Sequence, residues 1–182
     1  MCFVIRAAAL EDSAEIARVQ VDWWRTTTYR ETMPPVLDKM HRVQAEKIWR
    51  TQLAGGSSRT YVTEMDGSIC GFISGGRLRR EPVSDFNGVS DFDGEIYAIY
   101  IARNAQGRGC GRALMRQLAG KLLQDGLTSA VVWALESDPT CGFYARLGGE
   151  LVGRKASPMI GPGRLVEVAY GWSDLRLLAD AA

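Results

Sequence analysis

The run Glu95–Leu118, "EIYAIYIARNAQGRGCGRALMRQL", constrains the fold more than any other stretch. Its first part, "EIYAIYIA", carries apolar side chains at neighbouring positions, so both of its faces must be buried. It reads as a central strand. Its second part opens a helix over 109–124, with Leu114, Leu118 and Leu122 along one stripe. Between them lies a turn with glycines at 107, 109 and 111. A buried strand that passes through a tight turn into an amphipathic helix needs a sheet with that helix packed across it. The class is therefore α/β.

The turn also specifies a chemistry. The first turn of a helix leaves backbone N–H groups without intrahelical acceptors, and its dipole end is positive. Glycines let a backbone approach a ligand closely and adopt unusual dihedrals. Arg108 and Arg112 add guanidinium donors suited to phosphate oxygens. Together these describe an anion site, for a phosphate or pyrophosphate. The plainer alternative is a helix start with a packing notch. Two nucleotide motifs fail on spacing. GxxxxGK[ST] is absent, and "GRGCGR" puts Arg112 where GxGxxG needs its last glycine.

The remaining chain supplies the other layers. "CFVIRAA" reads as a first strand, and 10–24 as a helix with Ile16, Val19 and Trp23 on one side. A second helix over 36–53 places Leu37, Met40, Val43, Ile48 and Trp49 on a face. "RTYVTEM" and "SICGFISGGRLR" form a hairpin about Asp66-Gly67, and "SAVVWAL" is a further strand. A short helix follows, with Asp138 as N-cap, Pro139 in the first position and Gly148 at C′. "ELVGRKA" and "RLVEVAYGW" close the chain as a strand pair. The order is β-α-α-β-β-β-α-β-α-β-β. It predicts a mixed, mostly antiparallel sheet with helices on both faces, in one domain over 1–182.

Composition excludes several classes. A net charge of +1 offers no case for nucleic acid or a polybasic membrane surface. No apolar run approaches the roughly 20 residues needed to span a bilayer. The first residues lack a basic segment ahead of an apolar one, so no secretory leader is expected. Cys2, Cys70, Cys110 and Cys141 form no CxxC pair, which argues against a metal and for free thiols in the cytoplasm. His41 is the lone histidine, so it completes neither a triad nor a metal set.

Residues 106–111, "QGRGCG", match the Q/R-x-x-G-x-G/A motif of the GCN5-related N-acetyltransferase (GNAT) family. "EIYAIYI" resembles that family's central strand, and "DPTCGFYARLGG" its late helix. The element order is similar over nearly the whole chain. "VDWWRTTTYRETMP" and "EVAYGWSDL" more loosely resemble a bacterial subgroup acting on polyamines and other small amines. The resemblance implies acetyl-CoA as cosubstrate. Gln106, Gly107, Arg108, Gly109, Cys110, Gly111 and Arg112 would hold its pyrophosphate, and Ile99, Tyr100 and Ile101 its pantetheine arm. A backbone N–H near Ile99 would stabilise the oxyanion.

Tyr144 matches the family's tyrosine beside the sulfur and is the candidate general acid; a buried structural tyrosine is the competing reading. Glu95, at the start of the central strand, is the candidate base, with Asp91, Asp93 and Glu136 as alternatives. Asp138 stands where the family often has Asn and contacts pantetheine, or only caps its helix. Cys110 holds the motif's variable position and is read as a bystander. Trp23, Trp24 and Tyr29 would wall the acceptor amine, or serve as core. The expected partner is a small-molecule amine, with a protein or peptide acetyltransferase and a non-catalytic acetyl-CoA sensor as alternatives. A homodimer is expected on family grounds only.

Overall fold

The computed structural model describes residues 2–26, 41–79, 89–156 and 165–180. Tyr29, Leu37 and Met40 lie outside these residues. The elements are β1 (Val4–Ala7), α1 (Ser13–Thr26), α2 (Arg42–Gly55), β2 (Arg59–Met65), β3 (Ser68–Arg77), β4 (Gly94–Ile101), α3 (Cys110–Gln124), β5 (Ala130–Leu135), α4 (Cys141–Arg146), β6 (Glu150–Ala156), β7 (Val166–Trp172) and α5 (Leu175–Ala179). The order is the one read from sequence, with α5 added. That helix spans five residues, too few to show a period; its start is set by the Asp174 carboxylate, which accepts from the Arg176 N–H.

The sheet has seven strands in the order β1-β2-β3-β4-β5-β7-β6. Only β4 and β5 pair in parallel. The β2–β3 turn has positive φ at Asp66 (51°) and Gly67 (75°), as a two-residue Asp-Gly hairpin requires.

One face carries α1 and α2, where Ile16, Val19, Val21 and Trp49 pack on Val62, Ile69 and Phe72. The other carries α3 and α5, where Leu114, Leu118 and Leu122 meet Ile73, Ile96 and Val132. Each of those leucines is buried, which stabilises the fold by roughly 2 kcal/mol apiece. The α2 face differs from expectation. Val43 and Ile48 are exposed, at 64% and 48%, while Ala45 and Trp49 are buried. The helix docks on α1 through the Ala45–Trp49 stripe, fixed by a Trp49 Nε1–H bond to Gln20 Oε1 of 2.7 Å.

Two irregularities open the sheet. Ser74 pairs with Ala98 but Gly75 with Ile96, so Tyr97 is an inserted bulge residue. The β4–β5 ladder holds only Gly94–Ala130, Glu95–Val131 and Ile96–Val132. Beyond these pairs β5 stays with β7, and β4 with β3. The sheet therefore splits between Tyr97–Ile101 on one wall and Trp133–Leu135 on the other.

The edge of the sheet carries an ionic clamp. Arg6 donates to Asp12 at 2.6 and 2.9 Å and to Glu64, and Asp12 also accepts from the Ala9 N–H. The Arg6 guanidinium holds the Asp12 carboxyl below its usual range, against the opposing effect of burial. The folded chain thus takes up this proton later than the unfolded chain as pH falls. The stabilisation is complete above about pH 4 and is lost below it. In urea melts, wild type is expected to exceed Asp12→Asn at pH 7, and the two midpoints to converge as the pH falls below about 4. A gap that stays constant with pH would count against this assignment.

Candidate active site

β4 runs through Ala102 into the glycine turn and then into α3. The Gln106 side-chain amide donates to the Ile101 carbonyl at 3.0 Å, tying the turn to the strand end. Gly107 and Gly109 have φ of +72° and +85°, in the left-handed region, although a Cβ would meet nothing within 4 Å at either. Conformation, not crowding, requires glycine there. Gly111 differs: its Cβ would lie 3.2 Å from the Phe143 ring, so its lack of a side chain lets α4 pack on α3. The first helical bond is Ala113 N–H to Gly109 O, at 3.0 Å. The N–H groups of Cys110 and Gly111 thus sit in the open first turn, where the helix dipole favours an anion. Arg108 and Arg112 lie exposed beside them. Cys110 is 1% exposed, which shuts its thiol from solvent.

The turn faces the end at which the sheet is split. Past Ile96, alternate backbone groups of β4 turn towards the gap that β5 has left. Ile99 and Ile101 pack towards α3, and Tyr100 towards α1. The Tyr100 hydroxyl accepts from Trp24 Nε1 at 2.8 Å, and its ring meets Trp23 and Trp24 edge-on and Phe72 at a tilt, with centroids 5.0, 6.1 and 5.5 Å away. Trp24 is nearly buried and serves as core, while Trp23 is half-buried.

The opposite wall carries Asp138 and Tyr144, both 5% exposed. Burial, then the charges of Tyr100 and Asp138, push the Tyr144 phenol well above its usual range. Burial pushes Tyr100 up to about 12. Both keep their protons at neutral pH, so both can donate. The nearby Thr140 side chain partly offsets the rise at Tyr144. The Tyr144 backbone is held by a C-terminal motif: Gly149 N–H donates to Tyr144 O at 3.0 Å and Gly148, at φ +79°, donates to Ala145 O. Asp138 caps the helical turn that leads into α4, as expected. Its Oδ1 accepts from the Thr140 N–H at 2.8 Å and its carbonyl from the Cys141 N–H at 3.1 Å, so Pro139 and Thr140 form a turn that runs into α4 at Cys141.

Glu95 lies at the closed end of the split. It is buried, and Arg79 takes both of its oxygens through the backbone N–H (3.0 Å), Nε (3.2 Å) and a terminal guanidinium nitrogen. Arg79 also stacks 4.4 Å above the Tyr97 ring. Two of the other candidate acids are committed too. Hydrogen bonds from Thr128 hold the Asp93 carboxyl low, which weakens it as a base, and Glu136 pairs with Arg154. Asp91 is exposed. The Arg79 clamp was not read from sequence; Arg79 and Glu95 meet only through the β3–β4 register. No group of histidine, cysteine, aspartate or glutamate residues that could hold a metal occurs among the described residues.

Comparison with known proteins accords with this geometry. Residues 18–149 match the model of the acetyltransferase (GNAT) family. A curated relative from Bacillus subtilis (strain 168), the uncharacterized N-acetyltransferase YuaI, is 38% identical over 176 residues, which are 96% of this chain and 95% of its own. An N-acetyltransferase from Staphylococcus aureus Mu50 has a similar structure, with TM-score 0.73 and 21% identity over 96% of this chain and 99% of its own. YncA of Salmonella typhimurium, solved with its cofactor acetyl-CoA, has TM-score 0.70 and 17% identity over 96% and 95% of the two chains. At those identities the two solved structures attest the fold.

Proposed function

The chain belongs to the acetyltransferase (GNAT) family, and from that premise we propose that it acetylates the primary amine of a small molecule by direct attack in a ternary complex. It is an N-acetyltransferase, and acetyl-CoA is its acyl donor. One observation carries the reading: the split between β4 and β5 opens towards the left-handed turn that begins α3. A long, thin cosubstrate with an anionic middle fits such a slot. Acetyl-CoA supplies the electrophile, a thioester carbonyl.

The chain's own residues supply the rest. The N–H groups of the first α3 turn, with Arg108 and Arg112, hold the pyrophosphate. The unpaired edge of β4 past Ile96 offers backbone partners to pantetheine and a donor for the oxyanion. Tyr144 keeps its proton at the hydroxyl and donates it in a hydrogen bond to the departing sulfur as charge builds there. Glu95 is the proposed acceptor of the ammonium proton, through water, when Arg79 yields one of its oxygens. In balance, the amine nitrogen bonds the carbonyl carbon, the carbon–sulfur bond breaks, and one proton is released.

The test is loss of thioester absorbance from acetyl-CoA against polyamines, amino acids, aminoglycosides and short peptides. The ultraviolet readout avoids the chain's four cysteines, which a thiol dye would also report. Turnover with one small-amine class is the expected result. Turnover with peptides alone would move the acceptor to proteins. Binding of acetyl-CoA without turnover would mark a sensor.

A further inference from the structure

A second recess lies at the other end of the sheet from the glycine turn. It is an open cleft of about 730 Å³, lined by Ser57, Arg59, Arg77, Arg79, Tyr97 and Asp125 among others. That volume is in the range of small-molecule sites. It is built from the end of α2, the start of β2, the end of β3 and the residues after α3. Tyr97 joins it to the reaction centre. As the bulge residue just past the last β4–β5 pair, it stands at the vertex of the split. Its side chain runs away along β3, donating from its hydroxyl to Arg77 O at 2.6 Å.

The charges in the cleft have a definite balance. Arg59 pairs with Asp125 at 2.6 Å, and Arg79 pairs with Glu95. Arg77 is exposed and makes no ion pair among the described residues. Among the described residues, Arg59, Arg77 and Arg79, with Lys121 2.9 Å from Asp125, meet only Asp125 and Glu95, so positive charge is in excess. An ammonium tail entering here meets repulsion. A planar anion meets guanidinium forks that bind it in a bidentate manner.

We propose that this cleft receives an anionic group of the acceptor, so that the substrate is a primary amine carrying a carboxylate or phosphate monoester and Arg77 selects it. The inference rests on the acetyltransferase reading above and narrows its acceptor class away from polyamines. The amine lies at the vertex beside Tyr97 while the anion lies against Arg77. The Arg79–Glu95 clamp stands between the two ends. An anion near Arg79 competes with Glu95 for its donors, which links acceptor binding to release of the base.

The experiment measures initial rates of the full chain at saturating acetyl-CoA. The acceptors are amino carboxylates of increasing chain length, aminoalkyl phosphates, the corresponding amides and amino alcohols, and polyamines. Anionic amines are expected to exceed their neutral counterparts in kcat/KM by about tenfold or more, the scale of a charge-assisted contact. Which anion gains most distinguishes carboxylate from phosphate. In Arg77→Ala the KM for anionic amines is expected to rise about tenfold more than that for neutral ones, with kcat nearly held. Arg77→Lys should recover part of the loss, since it keeps the charge without the fork. Polyamines favoured in wild type, or equal KM changes for anionic and neutral amines in Arg77→Ala, would overturn the inference and leave the acetyltransferase reading intact. No turnover with any amine would overturn both.

Discussion

Gly109→Asp is expected to weaken acetyl-CoA binding by about a hundredfold while leaving the fold intact, as an unpaired like charge at an anion site implies. The separation of the two effects follows from local geometry. Gly109 is the residue ahead of α3 and has φ +85°. Aspartate tolerates the left-handed region better than most side chains, and a carboxylate at this position complements a helix N-terminus. Space is no obstacle, since nothing lies within 4 Å of the added Cβ. The new carboxylate instead occupies the field meant for pyrophosphate and repels it. Calorimetry should show the lost affinity, and thermal melting of the unliganded protein should shift little. Wild-type affinity in this variant would remove the turn from the binding site. A collapsed melting transition would show that the turn's backbone, not its charge, was decisive.

Sequence revealed what local periodicity encodes. The 114–118–122 stripe, the β2 and β6 spans and the Asp-Gly hairpin are each set by neighbours a few residues away, and each appears as read. The misread features depend on distant partners. α2 shows two apolar stripes, and only contact with α1 selects the one through Ala45 and Trp49. The split at Ile96–Val132 has no residue signature, because it is an absence of pairing between strands that are both apolar. The Arg79 clamp on Glu95 was hidden for the same reason: sixteen positions and a strand register separate the two. A carboxylate chosen from sequence for its place near the chemistry thus came with a partner that sequence did not supply.

Tyr144→Phe is expected to lower kcat by about a hundredfold with acetyl-CoA affinity almost unchanged, the lower end of what a positioned proton donor contributes. The ring is buried against Phe143, Tyr170 and Trp172, with centroids 5.4, 5.9 and 6.4 Å away. Phenylalanine keeps that packing, so the variant isolates the hydroxyl. The nearby Thr140 side chain is only part-buried and can turn to water when the hydroxyl is removed. The direction of the phenol's shift sharpens the assignment. Burial raises it far above a thiol, so complete transfer to a thiolate is uphill, and the group acts chiefly by donating a hydrogen bond as charge builds on sulfur. The loss should therefore be greatest with acetyl-CoA and smaller with an acetyl donor whose leaving thiol is more acidic. A uniform loss across donors would point to misplacement of the thioester. An unchanged kcat would leave Tyr144 as a structural residue of α4 and send the search for the donor to Tyr100, a part-buried phenol that keeps its proton beside the split.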